Sequence, residues 1–113
     1  MRRSAKATLP PELSAQLFAA LGDEVRLRLV ARLCDEGPLS ITRLTGGSRV
    51  TRQAITKHLR VMEHAGLMHS TRHGRESLWR LDRERLELAR GYLDQISAQW
   101  DDALGRLRDF VEG

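Results

Sequence analysis

Val50-Thr51-Arg52-Gln53-Ala54-Ile55-Thr56-Lys57-His58-Leu59-Arg60-Val61-Met62 is the stretch on which the fold of this chain turns. Thr51 carries the side-chain oxygen that an N-cap needs, and Val50 before it is paired with Ile55 inside the helix, as in a hydrophobic staple. The entry angle of this helix is therefore set in its first turn. Ile55, Leu59 and Met62 recur at helical spacing and form an inward face that continues through Ala65, and Gly66 closes the run. Arg52, Gln53, Thr56, Lys57 and Arg60 are left facing outward.

Upstream, Ser40 can cap a short helix through Ile41 and Leu44 that halts at Gly46-Gly47. Before it, Asp23 caps a longer helix whose Leu27, Leu29, Val30 and Leu33 form an inward stripe, with Cys34 beside it and Gly37-Pro38 at its end. A first helix starts with Pro11 in its first turn, has Leu13, Leu17, Phe18, Ala20 and Leu21 recurring at helical spacing, and stops at Gly22. Residues 1–10 are polar and basic and read as a disordered arm.

Downstream, Leu67 to Thr71 and Glu76 to Leu81 alternate apolar with polar residues around Arg72-His73-Gly74-Arg75, which reads as a β-hairpin. Two strands alone are marginal, so the hairpin has to pack on the helices before it, with Trp79 in that core. From Arg83 to Glu112 runs one long helix, on the order of 45 Å at 1.5 Å per residue. Its apolar residues keep a heptad rhythm, with Leu86, Leu93, Trp100 and Leu107 at one position and Ala89, Ile96, Ala103 and Phe110 at the other. Such a seam exceeds what a small domain needs for its own core and calls for a partner helix, most simply its own copy.

The chain has 113 residues, 41% of them hydrophobic, 30% charged and 4% aromatic, which bounds it to one small helix-rich domain. Its net charge of +4 is unevenly spread: residues 49–75 carry +5, whereas residues 76–113 carry −3. A basic stretch centred on an exposed helix face and a hairpin tip fits a polyanionic partner. One cysteine excludes an internal disulfide, no apolar run reaches signal-peptide or membrane-spanning length, and a cytoplasmic location without membrane contact is expected. The chain also lacks a Gly-rich phosphate loop, a nucleophile elbow and a cluster of acids with a poised His, so an enzyme is not expected.

The order of these elements is a helix-turn-helix followed by a wing: mainly α with a small β-hairpin, an α+β winged helix-turn-helix dimerising through its terminal helices. Residues 11–82 form the DNA-binding part and 83–113 the dimerisation helix of the same structural domain. Thr51-Arg52-Gln53-Ala54-Ile55-Thr56-Lys57-His58-Leu59-Arg60, followed by Glu63-His64-Ala65-Gly66-Leu67, resembles the recognition helix and wing entry of the ArsR family of bacterial repressors. Leu21-Gly22-Asp23-Glu24-Val25-Arg26-Leu27-Arg28-Leu29 resembles that family's second-helix opening. The resemblance spans roughly Leu17 to Leu81 and implies an autoregulatory repressor that binds an inverted repeat as a homodimer.

Arg52 and Gln53, at the helix N-terminus, suit base edges, Arg for guanine and Gln for adenine, while Thr56 and Lys57 suit bases or phosphates. Ser48, Arg49 and Thr51 lie at the positive end of the helix dipole and suit a phosphate. Arg60 is a further outward position of the helix presented to the major groove, and the hairpin residues Arg72, His73 and Arg75 suit the backbone or the adjacent minor groove. His58, beside the buried Leu59, either bonds a phosphate or closes the helix surface. The dimer interface is expected to take Leu13, Leu17, Leu86, Ala89, Leu93, Ile96, Trp100, Ala103, Leu107 and Phe110.

Metal sensors of the resembled family carry paired cysteines on the helix before the recognition helix, or His and carboxylates on the last helix. This chain departs from both patterns, since Ser40 to Gly47 holds no Cys or His and Arg83 to Gly113 holds no His. No cofactor is expected, Cys34 reads as a packing residue, and any small-molecule effector is unspecified. Two alternatives stay open at this level: an interaction module without specific DNA binding, and a metal- or thiol-responsive repressor.

Overall fold

The computed structural model of the chain describes residues 11–47 and 49–113; the arm expected over 1–10 and Ser48 lie outside the described residues. Five helices and three strands are found there. They follow in the order α1 (Pro11–Leu21), α2 (Glu24–Glu36), β1 (Leu39–Ser40), α3 (Ile41–Thr45), α4 (Arg52–His64), β2 (Met68–His73), β3 (Glu76–Leu81) and α5 (Arg83–Glu112).

The helices from α2 onward begin where a side chain can take up a free N–H group of the first turn. Asp23 Oδ1 accepts from the Arg26 N–H at 3.1 Å, Ser40 Oγ from Arg43 at 3.2 Å, Thr51 Oγ1 from Ala54 at 3.1 Å, and Asp82 Oδ1 from Arg85 at 3.1 Å. At the other end of α4, Gly66 takes a positive φ of 78° that L side chains avoid, and a Cβ there would stand 2.8 Å from Arg85 Nε. The turn brings the Leu67 N–H back to the Met62 carbonyl at 2.8 Å and aims the chain into β2.

The core is one cluster in which Leu29 and Leu33 of α2, Leu44 of α3, and Ile55, Leu59 and Met62 of α4 meet Leu67, Met68 and Trp79. Leu17 and Ala20 of α1 and Ala89 of α5 complete it. Phe18 and Tyr92, with ring centroids 5.8 Å apart, fasten α1 to α5. Leu27, expected in the inward stripe of α2, is instead 52% exposed. Two residues along a helix turn the chain by about 200°, so Leu27 and Leu29 cannot share a face.

The sheet also departs from the expected hairpin. It has three strands in the order β1-β3-β2, all antiparallel, with Leu39 opposite Trp79 and Ser40 opposite Leu78. The two-residue strand β1 is too short to show alternation in the sequence, yet it covers the second edge of β3 and supports an otherwise marginal hairpin. Pairing of β2 with β3 runs on to His73 opposite Glu76, so Arg72 and His73 belong to a strand and the turn shrinks to Gly74-Arg75. Gly74, with φ 62°, supplies the positive first position that such a two-residue turn requires.

Candidate nucleic-acid interface

The short α3, the turn after it and the capped α4 form a helix-turn-helix, and α4 presents the face opposite Ile55, Leu59 and Met62. On that side Gln53 and Lys57 are exposed, as is Arg52 in the first turn of the helix, and no ion pair or hydrogen bond ties these three side chains among the described residues. Free, extended cations and an amide are what recognition of a polyanion with base edges requires. Positions 53, 57, 60 and 64 are three to four residues apart and so lie along one line of the helix. That line adds the exposed His64, which was absent from the expected contacts although the same spacing could have found it.

Three of the expected side chains are held more closely. Thr56 donates its hydroxyl proton to the Arg52 carbonyl at 2.9 Å, one turn back along its own helix. Arg60 pairs with Glu63 at 2.9 Å and lies over the Trp79 ring, 5.5 Å from its centroid, which fixes α4 against the sheet. His58, the residue with two open readings, is half-buried and faces α2, with Nδ1 3.1 Å from a terminal nitrogen of Arg26.

Around this face, Thr51 and Arg49 are exposed at the N-terminus of α4, where free N–H groups and the helix dipole favour an anion; Ser48 lies outside the described residues. In the wing, Arg72, His73 and Arg75 are all exposed, Arg72 and His73 at the end of β2 and Arg75 in the turn. Between Arg49 and Arg75 Glu63 is the sole acid, and its carboxylate is taken by Arg60. The base of the wing is tied to α5: His69 Nε2 lies 2.8 Å from Asp82 Oδ2. That bond, together with the backbone N–H of Arg85, holds the Asp82 carboxyl below its ordinary range.

The expected seam divides along α5. Leu17 and Ala89 are already buried in the core and Leu86 is packed against it, so their apolar surface is used within the chain. Beyond them Leu93, Ile96, Trp100, Leu107 and Phe110 are exposed, Trp100 by 62% and Phe110 by 81%, as is Leu13 of α1; Ala103 is partly so. Among the described residues, no group of three His, Cys, Asp or Glu side chains is arranged to hold a metal ion, and no helix is long and apolar enough to cross a membrane.

No family model matches the chain. Its sequence is 35% identical over 85 residues to the uncharacterized HTH-type transcriptional regulator YuzN of Bacillus subtilis (strain 168), covering 69% of this chain and 92% of that protein. Its structure is similar to an ArsR-like transcriptional regulator from Rhodococcus sp. RHA1, with a TM-score of 0.77 and 33% identity over 88% of this chain and 92% of that one. It shares the fold of the homodimeric winged helix-turn-helix DNA-binding domain of Mb0332 from Mycobacterium bovis, with a TM-score of 0.63 and 18% identity over 82% and 90% of the two chains. With a third of its residues shared over 92% of the Rhodococcus regulator, the chain belongs to the ArsR-like winged helix-turn-helix transcriptional regulators.

Proposed function

We propose that this regulator is a homodimeric repressor that binds an inverted-repeat operator in double-stranded DNA, with α4 of each protomer in the major groove. The observation that carries the reading is α4 itself, where Arg52 in the first turn and Gln53 and Lys57 on the outer face stand exposed and unpaired on an acid-poor surface. Arg52 and Gln53 read base edges, Lys57 and Thr56 reach bases or phosphates, and Arg49 and Thr51 seat a phosphate at the helix N-terminus. The wing residues Arg72, His73 and Arg75 follow the backbone into the next groove.

Dimerisation is supported by the exposed apolar stripe of α5 and by the homodimeric assembly of the Mycobacterium bovis relative. Two copies of α4 then lie about one turn of DNA apart, roughly 34 to 36 Å, or a multiple of it. Repression by occupancy is the simplest regulatory act open to such a dimer. The reading assigns no resident metal, because the sequence lacks the Cys and His pattern of the family's metal sensors on α3 and α5.

Fluorescence anisotropy of the full chain on a labelled fragment of its own upstream DNA tests this, with unlabelled nonspecific DNA as competitor. Contact with about six to ten phosphates predicts a loss of affinity on the order of 10³ to 10⁵ between 50 and 200 mM salt. Arg52→Ala should weaken specific binding by about 1 to 3 kcal/mol, and Lys57→Ala should reduce the salt dependence. Equal, weak binding by wild type and both variants would instead favour an interaction module that dimerises without reading DNA.

A further inference from the structure

His58 projects from the flank of α4 between the reading face and the core, and it is met there by a single guanidinium. Arg26 of α2 donates from Nε to the Ala20 carbonyl at 2.6 Å and from one terminal nitrogen to the Ala19 carbonyl at 3.5 Å. Its other terminal nitrogen reaches His58 Nδ1 at 3.1 Å. Guanidinium has no acceptor, so Nδ1 is the accepting atom and the proton of the neutral ring sits on Nε2. The two carbonyls end α1, where the helix dipole is negative and a cation is favoured. Asp23 Oδ1 is 3.9 Å from the same ring nitrogen, beyond hydrogen-bond reach, and is engaged as the cap of α2.

One planar fork therefore joins the end of α1, the start of α2 and the middle of α4. We propose that Arg26 is a positioning residue for DNA recognition, which fixes the His58 ring and through it the angle at which α4 presents Gln53 and Lys57. The inference rests on the DNA-binding reading of α4. It treats Arg26 as touching no DNA and as acting through His58, which also explains why an Arg outside the acid-poor stretch is committed to a histidine inside it. A lysine could reach one carbonyl but could not fork to the ring as well. An asparagine at position 58, by contrast, keeps an acceptor oxygen where Nδ1 stands.

The test uses the full chain on its own upstream DNA at neutral pH, with the active fraction of each variant set by stoichiometric titration so that unfolded protein does not enter the Kd. Arg26→Ala and His58→Ala should each weaken specific binding about tenfold while nonspecific affinity changes by less than about twofold. The double variant should be no weaker than either single one, since both remove the same contact. Arg26→Lys should not restore binding, whereas His58→Asn should come within about twofold of wild type. Wild-type affinity in Arg26→Ala and His58→Ala beside a weakened Arg52→Ala overturns the inference and spares the DNA reading. Fully additive losses in the double variant also overturn it. A wild type without competitor-resistant binding overturns the DNA reading, and this inference falls with it.

Discussion

Leu59 and Arg60 are neighbours in sequence with opposite tasks, and the helical period assigns them. Leu59 has no exposed surface and touches the centre of the core, so Leu59→Ala should cost about 2 to 5 kcal/mol, read as a lower urea midpoint with an unchanged slope. Arg60→Ala should cost under about 1 kcal/mol, because the Arg60 side chain stays mostly solvated both in its pair with Glu63 and where it lies over Trp79. Equal losses in the two variants would contradict this division. The inward set Ile55, Leu59 and Met62 was legible because it depends on spacing within one helix. The partner of His58 was not legible, because Arg26 lies 32 residues away and the local pattern carries no trace of a contact between helices.

At the scale of elements, caps were the most readable signals and strand edges the least. Asp23, Ser40 and Thr51 start their helices as local chemistry requires, whereas β1 is defined entirely by its pairing with β3. The sequence starts the wing turn too early for a related reason: exposed Arg72 and His73 resemble loop residues, and their strand conformation comes from the register with Ser77 and Glu76. Asp82 joins two elements at once, capping α5 and bonding His69 of β2. The His69 bond holds its carboxyl below the ordinary value of 3.8, so the ionised form belongs preferentially to the folded state. Its stabilisation is therefore fully present above that ordinary value and is lost as pH falls through the lower folded one. Asp82→Ala should destabilise the chain by about 0.5 to 2 kcal/mol at neutral pH, and the gap to wild type should narrow in acid. Urea denaturation at neutral pH and in strong acid checks both halves, and a gap that stays constant with pH would remove the charge from the explanation.

At the scale of the whole molecule, the described residues extend over 66 Å along the longest axis, and α5 changes role along its length. Its first turns complete the core through Leu86 and Ala89, and its remainder carries an apolar stripe from Leu93 to Phe110 that faces solvent. The seam was legible as a heptad rhythm, but the point at which it leaves the core was not, because that depends on where α1 ends its packing against α5. A charge in the exposed part should separate the protomers: Trp100→Asp should sediment as a monomer where wild type sediments as a dimer, and wild-type Tm should rise with protein concentration. Operator affinity should fall with it, since one α4 alone reads half a site. The central claim, that paired α4 helices read one operator, is tested most directly by hydroxyl-radical footprinting of the wild-type chain on its own upstream DNA. The account predicts symmetric protection around an inverted repeat, with half-site centres about 10 bp apart or a multiple of that, and weaker protection by Arg52→Ala at equal, subsaturating protein concentration. Protection without symmetry, or a footprint that Arg52→Ala leaves intact, would contradict it.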